Sequence, residues 1–242
     1  MYGSLCAEFY DLDKRFASQT EVSFYKQLLN PEALVLEPMC GSGRLLIPLL
    51  KAGIKVHGLD NSAAMLKNCR ERAKIHEIEP QLFQGAVESI VLPHRYQTIL
   101  IPFGSFQLLF PREAAIKTLI NMHRHLNPGG KLILDLFIPY EARYESNREE
   151  STLKKIKTAQ GEVIQHKSHN TINVQERVIF CDSIYIKSKN GKILQEEKEQ
   201  MHISWYRRYA MELLLERCGF RAIQYQEVQF RRVEHQIYVG ER

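Results

Sequence analysis

The chain has 242 residues, of which 44% are hydrophobic and 25% charged, with a formal net charge of +5. That balance excludes a disordered or collagen-like chain and fits one globular domain, or one domain carrying an insertion, with a core large enough for a ligand cleft. No apolar run reaches the ~20 residues of a membrane span, the five cysteines are odd in number with no Cys-x-x-Cys pair, and basic residues mix with acidic ones, so a membrane protein, a disulfide or thiolate-zinc framework and a dense nucleic-acid-binding arm are all disfavoured.

The opening Met1-Tyr2-Gly3-Ser4 lacks a basic stretch followed by an apolar one. It predicts no secretory signal and, with the cysteine usage, a cytoplasmic protein. Leu34-Val35-Leu36 reads as a buried strand and Arg44–Leu50 as the start of a helix. Lys55–Leu59 is a second strand, and Ser62–Lys74 a helix with Ser62 as N-cap. Thr98–Ile101 is a strand ended by Pro102. Glu113–Leu126 is a helix with Ile116, Leu119, Ile120, His123 and Leu126 on one face, stopped by Asn127-Pro128-Gly129-Gly130. Lys131–Phe137 is a strand apolar on both faces. Strands alternating with helices predict a parallel sheet covered on both sides.

After Phe137 the pattern changes. Residues 140–157 are mostly polar, and 163–205 read as extended segments. Arg177–Lys187 is strand-like, Asn190-Gly191 is a two-residue hairpin signal, and Met201–Trp205 is a return strand. This block predicts a small antiparallel sheet inserted in the α/β domain. Arg207–Cys218 is a helix with Gly219 at its C′ position. Ala222–Glu227 and His235–Val239 are two final strands.

The segment Val35-Leu36-Glu37-Pro38-Met39-Cys40-Gly41-Ser42-Gly43-Arg44 runs from a buried strand through a Gly-rich turn into a helix. Glycines permit positive φ and close backbone approach, and the helix N-terminus offers unpaired N–H groups. Asp60, at the end of the second strand, can accept hydrogen bonds from ribose hydroxyls. Turn and acid in register point to a nucleoside-containing cofactor. The third glycine of a dinucleotide loop is replaced by Leu46, and no Gly-Lys-Ser/Thr phosphate loop exists.

These residues resemble the first motif of the class I S-adenosylmethionine (SAM)-dependent methyltransferases, here the small-molecule type. Leu59–Leu66 is similar to that family's second motif, and Gln84–Glu88 to its adenine-contacting segment. Ile101–Phe106 is similar to the loop after its fourth strand, Leu126–Leu132 to its Pro-Gly-Gly entry to the fifth, and Leu214–Phe220 to the helix end before the sixth. The ordered set is more specific than any one motif. The chain departs from the pattern at Met39, in place of the loop's first glycine, so that this turn is expected to use another geometry. It departs again at Ala86, where backbone would serve the adenine, and at Gln97, in place of an acid.

The resemblance implies a three-layer, doubly wound α/β fold. Its seven-stranded, mostly parallel sheet has an antiparallel last strand, with a small antiparallel β insertion after the fifth strand. It implies N-terminal lid helices over residues 1–30, a SAM-binding domain over 31–140 and 206–242, and an inserted substrate or dimer subdomain over 141–205. It further implies SAM as cofactor, S-adenosylhomocysteine as product, and a cofactor site of Tyr10, Glu37, Gly41, Gly43, Arg44, Asp60, Asn61, Met65, Ala86, Val87, Pro102 and Phe103. Glu37 would meet the methionine amino group, Gly41 and Gly43 would admit the cofactor, and Asp60 would hold the ribose. Phe106, Trp205 and Tyr206 are candidates for the acceptor pocket. No metal and no catalytic base are assigned, since nothing in the spacing of His57, His123, His125 or His202 marks one. The expected activity is methyl transfer to a small-molecule acceptor through O, N or C; the sequence sets no oligomeric state, a homodimer being one the inserted sheet would allow. A non-catalytic SAM-binding module or a nucleic-acid methyltransferase stands as the alternative.

Overall fold

A computed structural model describes residues 2–14, 16–139, 146–230 and 233–242. Two helices open the chain: α1, Ser4–Asp13, and α2, Gln19–Leu28. The α/β core follows as β1 Val35–Pro38, α3 Leu46–Lys51, β2 Val56–Asp60, α4 Ala63–Lys74, β3 Leu82–Gln84, β4 Tyr96–Ile101, α5 Arg112–His125 and β5 Leu126–Phe137. Four strands come next, β6 Arg148–Lys157, β7 Val163–Asn173, β8 Val178–Lys189 and β9 Lys192–Ser204. The chain ends with α6 Arg208–Arg217, β10 Arg221–Phe230 and β11 Val233–Glu241.

The main sheet has the order β10-β11-β5-β4-β1-β2-β3. Strands β1 to β5 are parallel wherever they pair, and β11 runs antiparallel to both its neighbours. On one face Val22 and Tyr25 of α2, Leu46, Ile47 and Leu49 of α3, and Cys69 and Ala73 of α4 pack on Val35, Leu100, Ile133 and Ile237. On the other, Leu119 and Met122 of α5 and Met211 and Leu215 of α6 pack on Leu36, Ile99, Leu132, Leu134 and Tyr238. With both faces covered, the central strands read as continuous apolar runs. Strand order reverses between β1 and β4, which is where open α/β sheets take their ligands.

Local chemistry sets several boundaries. Ser62 caps α4, its Oγ accepting from Met65 N at 3.2 Å. Ser18 and Glu21 form a reciprocal capping box on α2. Asn190 and Gly191 both take positive φ (51° and 79°) in the turn joining β8 to β9. Helix α5 differs from the expected orientation. Ile116 and Ile120 are 38% exposed, and the buried face carries Ala115, Leu119 and Met122 with Asn121 and His125. Those two polar residues are spent on backbone, Asn121 donating to the Val87 and Ile90 carbonyls and His125 Nε2 accepting from Leu92 N.

The inserted sheet has the order β6-β7-β8-β9, antiparallel throughout. The boundary expected at 140/141 lies outside the described residues. Helix α1 joins this sheet to the glycine turn. Its first turn has no cap of its own. Instead Glu197 of β9 accepts from Leu5 N at 3.0 Å and Cys6 N at 2.8 Å, and Leu5, Cys6 and Phe9 pack on Ile164 and Tyr185. From its other end Asp11 accepts from Ser42 Oγ, from Asn68 Nδ2 at 2.8 Å and from Arg72 Nη1 at 2.8 Å.

Candidate active site

Strand β1 ends at Glu37-Pro38, and the chain turns through three left-handed residues, Met39 (φ 59°), Gly41 (φ 54°) and Gly43 (φ 80°). Met39 therefore keeps the conformation a glycine would adopt there, and the expectation of a different turn geometry is corrected. A side chain held in that region costs about 1–2 kcal/mol. The two glycines do different work. A Cβ on Gly41 would find only Met65 Sδ, at 3.8 Å, so this position opens on the cleft. A Cβ on Gly43 would lie 2.7 Å from Cys69 Sγ and 2.9 Å from Ile47 Cδ1, so Gly43 lets α3 approach α4 and lies behind the cleft rather than in it.

Asp60 ties the turn to β2. Its Oδ2 accepts from Gly41 N at 2.9 Å and its Oδ1 from Ser62 N at 2.8 Å. Burial raises its pKa, and the Ser62, Gly41 and Asn61 N–H groups oppose that rise. Arg44 donates to Glu21 Oε1 at 2.9 Å and lies 3.7 Å over the Phe103 ring, which fixes both walls of the cleft at that corner.

Glu37 is the anomaly. It is 3% exposed, and its Oε2 has no hydrogen-bond partner among the described residues. Burial pushes its carboxyl up to about 8, Arg44 pulling it down and Asp60 pushing it further up. A buried carboxyl with an unmet oxygen beside a ligand cleft is a binding group waiting for a donor. The sign of its effect on the free protein follows. The folded state keeps a proton that the unfolded state loses above its ordinary value of 4.5, so stability falls as pH rises from there to about 8. Glu37→Gln removes this loss. The melting temperature of the variant relative to the parent should climb by about 10–20 °C across that window and stay level above it. A difference independent of pH in calorimetric scans would refute the assignment.

The cleft at this edge measures about 830 Å³, within the roughly 300–1,000 Å³ of small-molecule sites. The structure brings Tyr10, Glu37, Gly41, Arg44, Asp60, Asn61, Met65, Val87, Pro102 and Phe103 to its lining. Ala86 is not in the lining, which its neighbours Gly85 and Val87 supply. The three aromatics expected to form an acceptor pocket are elsewhere. Phe106 is fully buried against Tyr206, with ring centroids 5.8 Å apart. Tyr206 has Arg112 over its other side, 4.9 Å away. Trp205 closes a separate cluster with Ile172, Ile179 and Cys181. Each was placed near the cleft by its position after a strand, but each faces the core because its large apolar surface gains more from full burial. Leu108, Leu109, Phe137, Ile138 and Ile203 line the cleft in their place.

Reading the sequence did not single out a second polar group. Asp135, at the carboxyl end of β5, is fully buried. Its Oδ2 accepts from Tyr25 Oη and from Phe103 N at 2.9 Å, and its Oδ1 lies 2.7 Å from His235 Nδ1. One signal was available: an aspartate inside the run Leu132-Ile133-Leu134-Asp135-Leu136-Phe137 must be paired if that strand is buried. His235 gave no such signal. Among the histidines weighed from sequence, His125 serves the backbone as described, and His123 packs on Phe220 at 5.1 Å.

Comparison with known proteins bears on this geometry. Residues 35–130 match the family described as a methyltransferase domain. A glycine/sarcosine N-methyltransferase of Halorhodospira halochloris is 32% identical over 129 residues, covering 52% of this chain and 47% of that protein. The chain thus spans about half the length of the curated relative it matches. Several solved structures share the fold. A SAM-dependent methyltransferase from Clostridium acetobutylicum ATCC 824 superposes with a TM-score of 0.74 at 15% identity, over 97% of this chain and 96% of that one. CalS10, an amino pentose methyltransferase from Micromonospora echinaspora solved with SAM bound, gives 0.71 at 19% identity, over 100% and 98%. The sugar N-methyltransferase KedS8 from Streptoalloteichus sp ATCC 53650 gives 0.73 at 16%, over 100% and 94%.

Proposed function

We propose that this chain, which carries a methyltransferase domain over residues 35–130 on the class I fold, transfers the methyl group of SAM to a small-molecule acceptor, and that the acceptor atom is an amine nitrogen. The observation that carries the cofactor assignment is the unmet, buried oxygen of Glu37 beside Gly41 and Asp60. That set matches a zwitterionic nucleoside: an ammonium for Glu37, space without a Cβ at Gly41, and a carboxylate for ribose hydroxyls at Asp60. The nitrogen acceptor is supported by the names of the relatives, a glycine/sarcosine N-methyltransferase and a sugar N-methyltransferase among them.

Bound SAM would supply an activated methyl group on a sulfonium. The chain's own share is alignment and exclusion of water. Glu37 and Asp60 would fix the two ends of the cofactor, Met65 and Val87 would flank its base, and Phe103, held by Arg44, would form the wall near the methyl group. Alignment of this kind removes several kcal/mol of barrier. The apolar residues Leu108, Leu109, Phe137 and Ile203 would close the acceptor's side from solvent.

Calorimetry on the full chain tests the reading. SAM and S-adenosylhomocysteine should both bind, NAD should not, and at pH 7 binding should release a proton as Glu37 ionises against the cofactor's ammonium. That release makes the observed heat depend on the ionisation enthalpy of the buffer. No detectable affinity for either ligand would remove the proposal.

A further inference from the structure

The cleft wall holds a titratable side chain that no assignment above uses. His235, near the start of β11, lines the cleft, while its neighbour in space, Asp135, is fully buried. The carboxylate of Asp135 can only accept, and it already takes Tyr25 Oη and Phe103 N–H on Oδ2. The 2.7 Å contact to Oδ1 must therefore be an Nδ1–H donation from the histidine. In the neutral ring that donation fixes the tautomer and puts the lone pair on Nε2, for which no hydrogen-bond partner is found among the described residues. Among the described residues, Phe230 lies against the ring, with centroids 4.9 Å apart, and Phe137 and Val228 are its partners across the sheet.

We infer that His235, oriented by Asp135 and Tyr25, is the proton acceptor for the methyl acceptor. This rests on the methyl-transfer reading and narrows its substrate class to amines that carry a proton to be shed from the attacking nitrogen. The balance is simple. The acceptor's N–H bond breaks and its proton passes to Nε2. The electron pair so freed forms the bond to the methyl carbon, and the pair of the broken C–S bond stays on sulfur. Asp135 stabilises the resulting imidazolium without taking the proton. An ammonium group arriving from water at neutral pH must shed a proton in this way before it can attack.

The test begins on the whole chain labelled with nitrogen-15 histidine. His235→Gln identifies the resonance by its loss, and long-range proton–nitrogen correlation at neutral pH reads the tautomer. The expected result is an Nδ1–H ring with Nε2 unprotonated; an Nε2–H tautomer overturns the inference. In the second arm, SAM turnover is followed with glycine, sarcosine and D-glucosamine as acceptor probes. The His235→Gln variant should bind SAM within about threefold of the parent by calorimetry and lose on the order of 100-fold in kcat. Unaltered kcat overturns the inference. Failure of the parent to bind SAM overturns methyl transfer itself and is seen before any variant is made.

Discussion

Asp60→Ala should weaken SAM binding by about 10- to 100-fold, the worth of a pair of charge-assisted hydrogen bonds. The same change destabilises the free protein, because the carboxylate is also the anchor of the glycine turn. Gly41 N and Ser62 N lose their acceptors together, and each unmet N–H at this depth costs about 1–3 kcal/mol. The two losses separate by a second variant. Asp60→Asn keeps one carbonyl oxygen and can hold one of the two N–H groups, so it recovers part of the stability while binding stays weak. Titration calorimetry reads the affinity and a thermal scan the stability. Affinity equal to the parent's in a folded Asp60→Ala protein contradicts the ribose role.

The largest loss of stability belongs to Asp135→Ala. Three donors converge on this carboxylate from three elements: Tyr25 of α2, the backbone of Phe103 after β4, and His235 of β11. Removing it strands all three. A broken buried network of this kind costs about 3–5 kcal/mol, and for a chain of this length the melting temperature falls by about 10 °C. Tyr25→Phe alone should cost far less, about 1 kcal/mol, since it takes away one donor and leaves the carboxylate two. Scans of both variants check the order. An Asp135→Ala protein as stable as the parent would mean that the convergence contributes nothing.

Much of the fold was legible because its signals are local. Strands β1, β2, β4 and β5 are buried on both faces, which suits short runs rich in leucine, isoleucine and valine bounded by turn residues. The Asn190-Gly191 turn and the Gly219 helix end express a conformation that few residues adopt, and the Ser62 cap needs a side-chain oxygen that few residues carry. Strand β6 was hidden for the opposite reason. Every residue from Arg148 to Lys157 is at least partly exposed, since the strand lies at a sheet edge and is held by its backbone ladder with β7. Composition records burial, and there was little to record. Met39 misled in another way: sequence shows a residue's preference, while the turn imposes φ on whatever occupies the position.

The site was half legible. Glu37, Gly41 and Asp60 lie within a short stretch whose spacing carries the geometry. The Asp135–His235 contact joins positions 100 residues apart that meet only because β11 inserts beside β5. The aromatics failed for a related reason. Position after a strand gives the edge of the sheet a residue is near, but not which way its ring turns, and Phe106 and Tyr206 turned inward onto each other.

The borrowed cap on α1 ties the two ends of the sequence together. Leu5 and Cys6 hand their amide hydrogens to a glutamate 192 and 191 positions further along, so the first turn of the helix gains these partners only once β9 is in place. Closing so long a loop carries an entropy that the finished hairpin β8–β9 must offset.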